Sequence, residues 1–189
     1  MSRFFIFALL AFVFAGLFQS PNLHAKADDF ADLDLNLSED DQSLLLQGQI
    51  TFNFSKAALE ALENGLPLGV ETEVIVRPSG KWYWPRPVIT LSYKLEIQYH
   101  ALSQHYLVKA IGDEYPSAFL TLSSALEALG MIDQLALIEL QKLDPEEQYE
   151  VGVRSILDSE SLPVPLRPLT YLSEDWRLRS DWKRLSWPE

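Results

Sequence analysis

Polar and apolar residues alternate along most of this chain, beginning soon after a first block that is almost wholly apolar. Between positions 31 and 37, Leu33, Leu35 and Leu37 are separated by Asp32, Asp34 and Asn36. A period of two is the pattern of a half-buried strand, because successive side chains point to opposite faces. The polar run 38–42 predicts a turn. Leu44, Leu46, Ile50, Phe52 and Phe54 then resume the pattern, with Gly48 placed to form a bulge. Together these predict an opening hairpin. Further strands are predicted over residues 68–77, 88–99, 105–111, 135–140 and 148–157. In 88–99 the alternation is strict, through Ile89, Leu91, Tyr93, Leu95, Ile97 and Tyr99, and 101–104 supplies the turn into the next strand. Trp176, Leu178, Ser180 and Trp182 also alternate, predicting a last strand with its tryptophans inward and its basic residues outward.

Two segments depart from that period. Residues 56–64 (KAALEALEN) consist mainly of strong helix formers, with Ser55 as N-cap and Gly65 as the stop. Residues 122–129 predict a second short helix closed by Gly130. The prolines of 162–168 (LPVPLRP) remove backbone donors, so this stretch is expected to be an extended strap. The fold class predicted is mainly β: an antiparallel, sandwich-like single domain over residues 28–189 with two short helices. An α+β arrangement is the alternative. The run Ala58-Leu59-Glu60-Ala61-Leu62 recurs as Ala125-Leu126-Glu127-Ala128-Leu129. A duplicated strand–helix–strand unit is one explanation, and common helix-forming composition is the preferred one.

The N-terminal block changes what chemistry the protein can use. Arg3 precedes an unbroken apolar run from Phe4 to Phe18, polar residues break it, and Ala25-Lys26-Ala27 places small residues where a signal peptidase cuts. Residues 1–27 therefore read as a signal peptide cleaved near Ala25 and Ala27, and the mature protein is expected to be periplasmic or secreted. The alternative is a retained N-terminal anchor in the inner membrane. The run is fifteen residues, against about 20 for a spanning helix. The chain has no cysteine, which removes a lipoprotein anchor, disulfides, thiol nucleophiles and thiolate-bound zinc. Net charge is -12 and becomes -14 once Arg3 and Lys26 leave with the signal. Such a field repels nucleic acid and argues against a phosphate-backbone partner.

Candidate chemistry is sparse. Asp32, Asp34, Asn36, Ser38 and Asp40 have the odd spacing of a calcium loop. Leu37 stands where the loop needs glycine, and Ser43 where it needs the closing acid. His100 and His105 flank a predicted hairpin turn, yet two imidazoles fall short of the three or four ligands of a zinc site. They remain minor candidates, and neither a metal nor a cofactor is implied. Ser180-Asp181-Trp182-Lys183 fits the Ser-x-x-Lys of penicillin-recognising enzymes without the companion motifs that chemistry requires. The remaining candidate is Lys81-Trp82-Tyr83-Trp84-Pro85-Arg86, three aromatics between basic residues in a proline-bounded loop. Aromatics and arginine carry most binding energy at interfaces, so Lys81, Trp82, Tyr83, Trp84 and Arg86 are the predicted contact residues. The competing reading has the aromatics filling the core at the end of a sheet.

Several of these pieces, taken in order, resemble an exported bacterial family, the domain of unknown function 4390 family. They are the passage from Ala58 through Leu62, Gly65 and Pro67 to Leu68; Tyr99-His100-x-Leu102-Ser103-x-x-Tyr106; the Ala125-Leu126 helix; Leu157-Asp158 leading to Leu162-Pro163-x-Pro165-Leu166-Arg167; and Trp176-x-Leu178-x-Ser180-x-Trp182. The resemblance implies export and one compact domain, and it implies no activity. It also implies a partner in the envelope, since members of that family look to be encoded near a membrane-bound sensor kinase. The function expected is that of a non-catalytic exported envelope protein acting as a protein-binding or accessory module, with an inner-membrane protein such as a sensor kinase as partner. A glycan or small-molecule binding module is the first alternative. A hydrolase built on uncatalogued carboxylates is the second.

Overall fold

The computed structural model describes residues 30–80 and 86–188. Strands β1 (Ala31–Glu39), β2 (Ser43–Phe52) and β7 (Met131–Glu139) form a sheet in the order β1-β2-β7. A second sheet runs β6-β5-β4-β3-β8-β9, built from β3 (Leu68–Pro78), β4 (Ile89–His100), β5 (His105–Ala110), β6 (Ser117–Phe119), β8 (Tyr149–Asp158) and β9 (Lys183–Trp187). Neighbouring strands are antiparallel throughout. Buried side chains of both sheets join in one apolar cluster, including Leu44, Leu46 and Ile50 from the smaller sheet and Val74, Val76, Ile97 and Val153 from the larger. The fold is a mainly β, sandwich-like one.

The first hairpin shows how the alternation becomes structure. Ala31, Leu33 and Leu35 are buried, and Asp32, Asp34 and Asn36 are exposed. At its turn the Asp40 carboxylate accepts the backbone N–H groups of Gln42 (2.8 Å) and Ser43 (2.7 Å). These bonds favour the ionised form and hold the Asp40 pKa below the usual carboxylate range. Gly48 lies at φ +138°, and a Cβ there would stand 2.2 Å from the Asp34 carbonyl oxygen, so only glycine fits this close crossing.

Helices α1 (Lys56–Glu63) and α2 (Leu122–Gly130) are N-capped by Ser55 and Thr121, whose hydroxyls accept the N–H groups of Ala58 and Ser124. They explain the repeated pentapeptide. Ala58 and Leu62 are buried in α1, and Ala125 and Leu129 in α2, the same first and fifth positions of the repeat. A two-turn helix presents i and i+4 to one surface, so a small residue and a leucine at that spacing suit a short helix laid on a sheet. The two helices cross between the sheets in opposite senses, α1 leading from β2 to β3 and α2 from β6 to β7.

Four local expectations are corrected. A third helix, α3 (Leu169–Leu172), joins the two expected. The proline strap is not extended, because Val164–Leu166 forms a 3-10 turn that leads towards α3. Strand β7 begins at Met131, directly after α2, and not at 135. The last strand is β9 at 183–187 and not 176–182. The reason for this last shift lies in the pairing. Arg179 bridges Ile156, and Ser180 N–H donates to the Ser155 carbonyl at 2.8 Å. Three residues further on, Lys183 pairs with Val153. Two tail residues, Asp181 and Trp182, thus stand opposite the single residue Arg154. One extra residue of this kind is a bulge and reverses the face on which every later side chain falls. Trp176 is buried and Trp187 packs on Tyr149 with ring centroids 6.1 Å apart, as expected for inward tryptophans. Trp182 is displaced to the outer face.

A row of polar side chains crosses the inner face of the larger sheet. Tyr93, Thr72 and Ser155 are register partners on three adjacent strands. The Thr72 and Ser155 hydroxyls are 2.9 Å apart, and the Ser180 hydroxyl accepts Ser155 N–H at 3.0 Å, tying the tail to β8. Burial pushes the Tyr93 phenol up to about 12, against the opposing effect of a Thr72 hydrogen bond.

Candidate binding face

The outward positions of the larger sheet are charged, and their signs alternate across the strands. Glu71 faces Lys94, Glu73 faces Arg154, Arg77 faces Glu150 and Glu96 faces Lys109, each pair directly opposite in register. Each is also an ion pair, with Arg154 Nε 2.6 Å from Glu73 and Lys109 Nζ 3.3 Å from Glu96. Cross-strand pairs of this exposure stabilise by roughly 0.2–1 kcal/mol each. Their larger effect is to fix the rotamers of the arginines on this face. Lys94 lies among three carboxylates, 3.0 Å from Asp158, 3.5 Å from Glu160 and 3.6 Å from Glu71. The hydrogen bond that Lys94 donates to Asp158 raises its pKa most, against partial desolvation, and the fields of Asp158, Glu71 and Glu160 add to the rise.

The bulge at Asp181-Trp182 interrupts this lattice. Trp182 lies against Gly152, whose missing Cβ would stand 3.3 Å from the indole Cε3. The Arg154 guanidinium stacks on the same ring, 4.5 Å from its centre. Beside the indole is a cleft of about 120 Å³ lined by Ile75, Arg77, Pro87, Gly152, Trp182 and Arg184. Its floor is apolar and its rim is cationic. Both arginines share Glu150, which accepts from Arg77 Nε at 3.0 Å and lies 3.9 Å from Arg184 Nε. An aromatic shelf, a proline wall and a pair of oriented guanidiniums form a surface suited to an extended segment carrying apolar and anionic groups.

Of the residues predicted to make contacts, Lys81, Trp82, Tyr83 and Trp84 lie outside the described residues, as do residues 1–27 and the cleavage region at Ala25 and Ala27. Arg86 is exposed and immediately precedes Pro87, which lines the cleft. Pro87, at the end of the first aromatic–basic stretch, thus lines the same cleft as Trp182 and Arg184 of the tail. His100 and His105 are register partners at the tip of the β4–β5 hairpin. Each engages Ser103, His100 Nδ1 meeting the hydroxyl at 3.0 Å and His105 Nδ1 meeting the carbonyl. Among the described residues, no three His, Asp or Glu are grouped so as to hold a metal ion. Asp32, Asp34 and Asn36 form the wet face of β1. Ser180 is buried, and its hydroxyl is held between Ser155 N–H and the Asp181 carbonyl. Ile75, Gly152 and the Arg154–Trp182 stack were missed by sequence reasoning; Trp182 itself was noticed and assigned to the wrong face.

Fold and site together define a class: a two-sheet, mainly β protein with an arginine-rimmed aromatic cleft on the outside of its larger sheet. The chain belongs to the family described as Domain of unknown function (DUF4390), whose profile matches residues 27–186. No curated protein and no solved structure matches it significantly. Among the described residues no helix is long and apolar enough to cross a membrane.

Proposed function

We propose that this protein is a non-catalytic exported envelope protein that binds another protein through the outer face of its larger sheet, with the cleft beside Trp182 as the centre of contact. The observation that carries this reading is the cleft itself: a partly exposed tryptophan laid on a glycine, between arginines held in place by cross-strand carboxylates. Preordered arginine and tryptophan lose little conformational freedom on binding, which is why such residues dominate interfaces. The partner proposed is the extracytosolic part of an inner-membrane protein, a sensor kinase being the candidate that the family resemblance supplies. The flat indole also supports a second reading, in which the shelf stacks on a sugar ring.

The test is site-specific photo-cross-linking in intact cells. A photoreactive residue at position 86, beside the cleft, is expected to yield one discrete protein adduct, and the same residue at position 36, on the outward face of β1, is expected to yield none. Equal adducts from both positions, or none from position 86, overturn the protein-binding reading. Absence of an adduct together with saturable binding of a soluble glycan supports the second.

A further inference from the structure

The Arg154–Trp182 stack is a shared wall. On its far side, between β8 and the tail, lies a second cleft of about 250 Å³. We propose that this second cleft is a binding site for a dianionic phosphate group carried on an apolar body, independent of the protein contact described above.

Three arginines from separate parts of the fold line it: Arg154 on β8, Arg177 after the turn at Glu174–Trp176, and Arg179 on the segment bridged to Ile156. Among the described residues no acidic side chain lines it, although the chain as a whole carries net charge -12. The charge balance inside the cleft is specific. Arg154 is neutralised by Glu73 at 2.6 Å. The Arg177 guanidinium donates to the Tyr171 carbonyl at 2.6 Å, a bond that orients it and leaves its charge uncompensated. Arg179 is exposed and has no side-chain partner among the described residues, and neither does the Ser159 hydroxyl on the cleft wall. Two positive charges and a free hydroxyl donor are left unmatched. A carboxylate would balance one charge, whereas a phosphate monoester near its second ionisation balances both and offers three acceptor oxygens. Guanidinium forks match phosphate oxygens in pairs, which lysine does not do. Beneath the arginines, Trp176 supplies an apolar floor, so the phosphate is expected to arrive attached to an aromatic or aliphatic group.

Phenyl phosphate is the probe, with benzoate as the monoanionic comparison, in isothermal titration against the purified protein at low ionic strength. Saturable one-site binding is expected, at least tenfold tighter than benzoate, with a shift of the Trp176 indole resonance. Arg179→Glu and Arg177→Glu are each expected to weaken it at least tenfold at unchanged Tm. Lys56→Glu makes the same charge change on α1 and is expected to leave affinity within twofold. Phosphatidylcholine vesicles doped with phosphatidic acid form the second arm. Co-sedimentation lost in Arg179→Glu supports the site and assigns the phosphate to a lipid headgroup; titration by phenyl phosphate without co-sedimentation supports it and assigns a soluble ligand. No saturable binding of phenyl phosphate, or equal weakening by Lys56→Glu and Arg179→Glu, overturns the proposal.

Discussion

Substituting Gly152 separates folding from binding, because its backbone belongs to the sheet and its missing side chain belongs to the cleft. In Gly152→Val the new Cβ would lie 3.3 Å from Trp182 Cε3, and the two valine methyl groups would reach into the space the indole occupies. The ring must leave the sheet. Loss of the Arg154 stack removes roughly 0.5–1 kcal/mol, and re-exposing about 50 Å² of indole removes about 1 kcal/mol more at 25 cal/mol/Å². Against this, valine in place of a strand glycine restores about 0.5–1 kcal/mol of backbone entropy and up to about 1 kcal/mol of strand preference. The sum lies between a net loss of about 1.5 kcal/mol and a net gain of about 0.5 kcal/mol, so Tm is expected to fall by no more than about 6 °C. Thermal unfolding checks that number, the Trp182 indole signal reports the displacement, and the adduct from position 86 reports the contact. The variant is expected to be folded, shifted at Trp182, and without adduct. A fall in Tm above 10 °C would mean that Trp182 is part of the core; an unchanged adduct would mean that the cleft is not the contact.

Other consequences of the geometry can be measured separately. Gly130→Ala gains up to about 1 kcal/mol of helix propensity but places a Cβ 1.8 Å from the Ile50 carbonyl oxygen, backbone against backbone. Overpacking of this kind costs about 2–3 kcal/mol, so denaturant unfolding is expected to show a clear net loss, and a variant as stable as the parent refutes the close approach of α2 to β2. Tyr93 has its folded pKa pushed up to about 12 from 10.0. Its contribution is therefore complete below pH 10 and lost as pH rises through 12, an effect on the order of 2–3 kcal/mol. Tyr93→Phe should flatten the fall in stability between pH 10 and 12, and an unaltered alkaline profile counts against the buried phenol. Zinc or nickel is expected to leave Tm unchanged, since among the described residues His100 and His105 have no third ligand grouped with them; a large rise abolished by His100→Ala contradicts that.

Much of the fold was legible because one face of each long strand is buried. The leucines of β1 and the strict alternation of β4 each mark a core face, and a one-residue slip would expose all of them. The short helices were legible from their caps and from alanine and leucine at i and i+4. Strand β6 was not legible, because the three residues Ser117–Phe119 are too few to show a period. The tail misled for a different reason. Its alternation through Trp182 is real, but the extra residue opposite Arg154 lies in the pairing of two strands, and a single sequence carries no sign of register. The binding face follows the same division. The tail's richness in aromatics and arginine was visible, while the meeting of Ile75 and Arg77 on β3 with Gly152 on β8 and Trp182 and Arg184 of the tail depends on a strand order that periodicity does not encode. Gly152 drew no notice because its role is to leave room for a residue thirty positions away.

Binding through the outer face is tested most directly by one affinity measurement with the protein captured from position 86. Immobilised partner is titrated with the parent protein, with Trp182→Ala and with Asp34→Ala, the last on the exposed face of β1. The expected result is a loss of affinity of about tenfold or more for Trp182→Ala, of the size that removal of a central aromatic anchor produces, and no change for Asp34→Ala. Full affinity in Trp182→Ala, or an equal loss in Asp34→Ala, contradicts it.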